Sequence, residues 1–213
     1  MKKMLLAALF LTGCAPTLVQ TARTVGEGNF QGAIEPGFTM VSADGVTGGV
    51  PVVNFAGRYG VSEKVDVGVR IGSVGYALQG KFALTDPTDA AKTQISIVPE
   101  VSAIAAGGAF LARANVGALF GIPVGESELT IGALTSNTIG GAGGAGGGAG
   151  GFVSQVGGSV GYAAKLGAVR LMPEVGFKPL VIGGGTASGA GSSGGVAFVP
   201  NVSFALGILV GGR

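Results

Sequence analysis

The sequence predicts an all-β chain, an antiparallel up-and-down transmembrane β-barrel of about ten strands, with eight also compatible. Three observations predict it. Apolar residues alternate with polar or small ones along most of the 213 residues, the period of a strand with two unlike faces. Charged residues are only 11% of the chain, well under the usual quarter of a soluble domain, so few surfaces are left that water would solvate. Glycine is present 44 times, about three times its ordinary share.

The first element is a leader. Lys2 and Lys3 precede the uncharged run Met4 to Leu11, and the small residues Thr12 and Gly13 follow, the layout of a secretory signal peptide over residues 1–13. The run is far short of the roughly 20 residues a membrane-spanning helix needs. Leu11-Thr12-Gly13-Cys14 resembles a lipobox, the acylation and cleavage site of bacterial prolipoproteins. The resemblance implies a diacylglycerol thioether on Cys14 and an acylated new N-terminus. Ala15, rather than Asp, follows Cys14, which in such lipoproteins implies the outer membrane of a Gram-negative type envelope. Cys14 is the only cysteine, so no internal disulfide exists and the thiol needs another use. Residues 14–26, with Thr, Gln and Pro and no period, are expected to be a lipidated N-terminus and flexible tether, leaving 27–213 for the barrel.

The strands follow in order. Phe30, Ile34, Phe38 and Met40 oppose Gln31, Glu35 and Thr39; Val53, Phe55 and Tyr59 oppose Asn54 and Arg58. The cleanest case sets Val65, Val67, Val69 and Ile71 against Asp66, Gly68 and Arg70. Tyr76, Leu78, Phe82 and Leu84 oppose Gln79 and Lys81; Ile95, Ile97 and Val101 oppose Gln94, Ser96, Glu100 and Ser102. Weaker alternation marks 109–121, 127–138 and 152–165. Val169, Leu171, Val175 and Phe177 oppose Arg170, Glu174 and Lys178, and Phe204, Leu206, Ile208 and Val210 oppose Ser203, Ala205 and Gly207. Strands of this length cross a bilayer with tilt. The polar faces carry glycine, small residues and balanced charges, which suits a narrow lumen. The hairpin Arg58-Tyr59-Gly60-Val61-Ser62-Glu63-Lys64-Val65-Asp66-Val67-Gly68 resembles one that recurs in small bacterial outer-membrane β-barrels, where an aromatic-Gly strand end, a polar turn and an Asp-Val-Gly strand follow one another. Two Gly-rich stretches, 140–151 and 183–195, are expected as long external loops. Pro36, Pro99, Pro173 and Pro200 lie within strands, where proline removes a ladder donor and bulges are one accommodation.

Other motifs are weaker. Gly141-Ala142-Gly143-Gly144-Ala145-Gly146 has the form of a dinucleotide loop, but no helix and acidic strand follow it, so a low-complexity loop is the better reading. Packed glycine-zipper helices there, and a membrane helix over 195–212, are alternatives disfavoured by glycine content and by the two-residue period.

The inward phase collects Glu35, Arg58, Asp66, Arg70, Lys81, Glu100, Arg113, Glu174 and Lys178. These candidate lumen charges form either a charged pore or a plug of ion pairs, and a barrel of eight to ten strands favours the plug because side chains fill it. Past the leader 11 basic and 11 acidic residues balance, which gives no basic excess for nucleic acid. Histidine is absent, which removes Ser-His and Cys-His pairs and the usual zinc sets. No catalytic residue, metal or cofactor is expected. The partners expected are lipids, covalently on Cys14 and around the barrel. The function expected is structural or surface-interacting; a narrow pore for small solutes and a periplasm-facing lipoprotein domain that binds a ligand or partner are the alternatives.

Overall fold

The computed structural model describes residues 18–43, 46–73, 75–106, 109–142, 149–187, 190–198 and 201–212. Cys14 and the leader lie outside them. Eleven strands form one sheet: β1 (Phe30–Ala43), β2 (Val46–Ser62), β3 (Val65–Gly72), β4 (Gly75–Ala83), β5 (Gln94–Ala106), β6 (Ala109–Val124), β7 (Ser127–Ala142), β8 (Ala149–Leu166), β9 (Val169–Ala187), β10 (Ala190–Phe198) and β11 (Asn201–Gly211). Consecutive strands pair antiparallel from β1 to β9, and β11 pairs with both β9 and β1, which closes the sheet. β10 lies on Leu180–Ala187 of β9 and β11 on Val169–Phe177. The two share one neighbour end to end, so the barrel has ten staves, in agreement with the expected count. No helix occurs among the described residues.

The alternation explains the closure. On every stave one face is apolar and points out: Phe30, Phe55, Val69, Tyr76, Leu78, Val101, Phe152 and Val175 are among the side chains left exposed on the outer wall. The inner face is mostly polar or small and buried, with a few large apolar side chains such as Leu119, Leu134, Met172 and Leu209 among them. A soluble sheet would bury its apolar face against a second layer; this sheet buries its polar one, the arrangement a lipid-facing barrel requires. Closure also removes most of the unpaired edge that an open sheet would carry.

Pro36, Pro99 and Pro173 are accommodated without bulges. Pro36 pairs with Val53, Pro99 with Val116 and Pro173 with Leu206. On the opposite flank each ladder lapses briefly and resumes in the same register, as between Ile34–Ile208 and Gly37–Ala205 or Gln79–Glu100 and Phe82–Ile97. Register shifts fall elsewhere, at Gly60/Ser62, Val156/Gly158 and Ala190/Ser193. Each proline withholds one donor from one neighbour, and its ring points outward where no partner is lost inside. Pro200 lies outside the described residues.

The Gly-rich stretches correct an expectation. Their described residues are strand ends rather than loop. β7 runs to Ala142 and β8 starts at Ala149, with Gly140 opposite Gly151; β9 runs to Ala187, with Gly184 opposite Gly194. Residues 143–148 lie outside the described set. Ladder bonds are made by main chain, so glycine and alanine can extend a hairpin while carrying no side-chain period that would announce it. At the other end the connections are tight. Gly125 (φ 62°) and Gly167 (φ 65°) open the two-residue turns of β6–β7 and β8–β9, where positive φ matches the twist of the strands. The longest described connection, 84–93, lies at this same turn end.

The segment expected to be a flexible tether departs most. Residues 18–26 run inside the barrel. Leu18, Val19, Gln20, Ala22, Thr24 and Val25 are buried almost completely. Leu18 and Ala22 pack with Val98, Leu119 and Leu134 in one internal apolar cluster; Ala33, Ala163, Met172 and Leu209 form another. From Leu18 in mid-lumen the chain descends to the turn-end mouth. There Gly28 donates to the Gly60 carbonyl at 2.9 Å, and the chain turns back into β1.

Candidate functional site

The lumen is the only interior this fold creates, and its chemistry is set by the inward residues. All nine candidate lumen charges are buried there. Six of the staves bring one network together. Arg58 meets Glu35 at 3.2 Å, Gln79 Oε1 at 3.2 Å and Gln31 Oε1 at 3.3 Å. Arg70 Nη1 donates to Glu100 at 2.9 Å, and its Nε lies 3.1 Å from Glu35 Oε2, an ion-pair contact without hydrogen-bond geometry. Gln79 and Asn115 donate to the two Glu100 oxygens at 3.1 and 2.9 Å. Buried charges persist when paired and hydrogen-bonded in this way. The network crosses the lumen from β1 to β6 and blocks it with side chains. Arg113 donates to Thr138 at 3.2 Å, higher on the wall.

A second set grips residues 18–26, and it does so through main chain. Leu18 N–H donates to Glu174 Oε1 at 3.0 Å, Ala22 N–H to Glu128 Oε1 at 2.6 Å, and Val25 N–H to both oxygens of Asp66 at 3.2 and 3.1 Å. Arg58 Nη2 donates to the Val19 carbonyl at 3.3 Å and Lys81 Nζ to the Arg23 carbonyl at 3.1 Å. Lys81 also stands 3.7 Å from Asp66. Lumen-facing glycines supply the room. A Cβ at Gly117 would meet Leu18, one at Gly121 would meet Ala22 and Glu128, and one at Gly207 would meet Val19.

At the mouth the loop 84–93 holds the side chain of Arg23 through the carbonyls of Pro87 (3.0 Å), Asp89 (3.5 Å) and Ala90 (3.2 Å). Thr24 Oγ1 donates to the Glu63 carbonyl at 2.6 Å. The loop shapes itself. Hydrogen bonds from Thr88 hold the Asp86 carboxyl below its ordinary range. Lys92 does the same for Asp89, and its own ammonium is raised in return.

Sequence reasoning had placed Glu35, Arg58, Arg70 and Glu100 on one face, and the structure joins them. It had not found Glu128, which fixes Ala22. The alternation of β7 is blurred there: Leu134 points inward, while Thr135 and Asn137 are exposed. Glu100 and Glu174 are engaged separately. Glu100 serves Arg70 and Asn115, and Glu174 serves Leu18. No cluster of metal-ligating side chains occurs among the described residues.

A closed antiparallel ladder, an apolar outer wall and a filled polar lumen define the outer-membrane type of β-barrel. No family model matches the chain, and no curated protein does. Among solved structures it is similar to Neisserial surface protein A, at 12% identity and a TM-score of 0.42 over 86% of this chain and 99% of that one. It is also similar to the outer membrane protein OprG from Pseudomonas aeruginosa (9%, 0.41, over 90% and 100%) and to the outer membrane protease OmpT from Escherichia coli (9%, 0.39, over 85% and 96%). The assignment of the fold rests on the chain's own ladders and faces.

Proposed function

We propose that this chain is a non-conducting outer-membrane β-barrel with a structural or surface-interaction role, anchored in addition by lipid on Cys14. The observation that carries the reading is the filling of the lumen by wall side chains, which does not depend on residues 18–26 being seated. The Glu35–Arg58–Arg70–Glu100 network crosses it, and residues 18–26 occupy the half toward the turn end. The apolar outer wall supports a membrane location. The lipobox residues Leu11 to Cys14 support the anchor. No catalytic role is assigned to the buried carboxylates: each is engaged by a cation or a main-chain N–H, and the chain has no histidine to act as a base.

Heat-modifiability and conductance test this together. Membrane extract in mild detergent should give a compact band on an unboiled SDS gel that shifts on boiling, and the purified protein should show no steps in a planar bilayer. Regular small conductance steps from the wild-type chain would favour the narrow pore instead. Absence of the gel shift, with Cys14→Ser protein recovered free in the periplasm, would leave a tethered soluble domain.

A further inference from the structure

We propose that the turn-end half of the lumen is a binding site for an extended polypeptide segment, and that residues 18–25 are its resident occupant in cis. Five wall side chains do the recognising. Glu174, Glu128 and Asp66 accept from main-chain N–H groups, and Arg58 and Lys81 donate to main-chain carbonyls. These contacts read backbone, which every polypeptide offers. They therefore fix an extended conformation and a register, and they leave the identity of most side chains open.

Shape supplies the selectivity that remains. Leu18 fills a pocket of Val98, Leu119 and Leu134. Position 22 is held small: Ala22 is fully buried in the same apolar cluster, and it stands so close to Gly121 that a Cβ at Gly121 would collide with it. The ligand class is thus an extended peptide with a large apolar residue followed four positions later by a small one.

One side chain marks the segment as an occupant instead of a stave. Gln20 is fully buried, yet neither its Nε2 nor its Oε1 finds a hydrogen-bond partner. The wall amides Asn54, Asn115 and Asn201 each leave one atom unpartnered, whereas Gln20 leaves both. Here the wall matches the main chain and ignores the side chain, as a site does that accepts more than one sequence. The inference stands on the lumen contacts alone and does not require the lipid on Cys14.

The test uses the full chain with Ala22→Phe, which unseats the cis segment and alters no wall residue. The probe is a fluorescent nonapeptide of residues 18–26, Leu-Val-Gln-Thr-Ala-Arg-Thr-Val-Gly, followed by anisotropy in detergent. The variant and its control both carry Cys14→Ser, so that no lipid withdraws the segment; in this otherwise wild-type control the cis segment holds the site at an effective concentration in the mM range, and a micromolar peptide is excluded. The variant should bind it roughly tenfold or more tightly than the control does. A peptide N-methylated at the positions of Leu18, Ala22 and Val25 should not bind. If Ala22→Phe loses the boiling-dependent gel shift, Leu18→Asp replaces it, since that change also spares the wall. A variant that keeps the gel shift but shows no saturable binding, or equal binding by the N-methylated peptide, overturns the proposal. Loss of the gel shift in the wild type itself would instead count against the barrel reading.

Discussion

Arg70 shows how little freedom a single lumen residue has. It is fully buried between Glu35 and Glu100, so removing it leaves Glu35 with Arg58 alone and takes from Glu100 the cation it pairs with. Breaking a buried pair from one side costs about 3–5 kcal/mol, because the remaining charge is stranded. Arg70→Met should therefore lower the unfolding free energy by that amount, moving the guanidinium midpoint down, and lower the temperature of the gel shift, while Glu35→Gln with Arg70→Met together should recover part of the loss. An unchanged midpoint for Arg70→Met would mean that the network fills space without holding the staves. Gln20 predicts the opposite sign. Its buried amide is unpartnered, a state costing about 1–3 kcal/mol, so Gln20→Leu should tighten the seated segment and slow trypsin cleavage after Arg23. Faster cleavage would show that the amide is satisfied in solution.

At the scale of elements, the sequence was legible wherever side chains carried the pattern. β3 alternates without exception, Val67 and Val69 out and Asp66 and Arg70 in, and its partners could be read the same way. Legibility failed where main chain carries the structure. The glycine and alanine ends of β7 to β10 pair by backbone alone, so a ladder there looks like a loop in sequence. Residues 18–26 failed for the same reason: their partners Glu174 and Glu128 stand far along the chain and grip N–H groups, which leave no trace in residue type. The prolines were legible as outward-facing but not as harmless, since the one-sided lapse of a ladder depends on which neighbour the missing donor faces. The segment and the wall are separable elements, and Gly207 tests this. Val19 lies where a side chain at Gly207 would stand, and β-branched residues suit a strand. Gly207→Val should keep the gel shift, expel residues 18–26 and expose the bond after Arg23 to trypsin. A variant that keeps the shift and remains resistant would show that the segment is not seated against β11.

At the scale of the whole molecule, the seated segment and the lipid compete for the same few residues. Cys14 precedes Leu18 by four positions, which fully extended span about 14 Å. Leu18 packs beside Gly117 and Gly132. Gly132 is five residues from the start of β7 and ten from its end, and Gly117 is seven residues from the end of β6 and eight from its start. At about 3.3 Å per residue and a tilt near 40°, the turn end is about 13–18 Å away and the far end about 20–25 Å. Beyond either rim the sulfur must still pass over the wall to enter lipid. A four-residue reach does not cover that path and the passage over the wall, so a Cys14 lipid in the bilayer requires Leu18 to leave its pocket, and a seated Leu18 keeps the sulfur from reaching lipid. The acylated protein should accordingly be cut by trypsin after Arg23, and the Cys14→Ser protein, exported and folded in the same membrane, should resist. Mass spectrometry of the intact chain identifies which species is being cut. Resistance in a chain whose mass includes the lipid would contradict the exclusion. A chain that carries no lipid and resists throughout would remove the anchor from the proposed function and leave a plugged barrel.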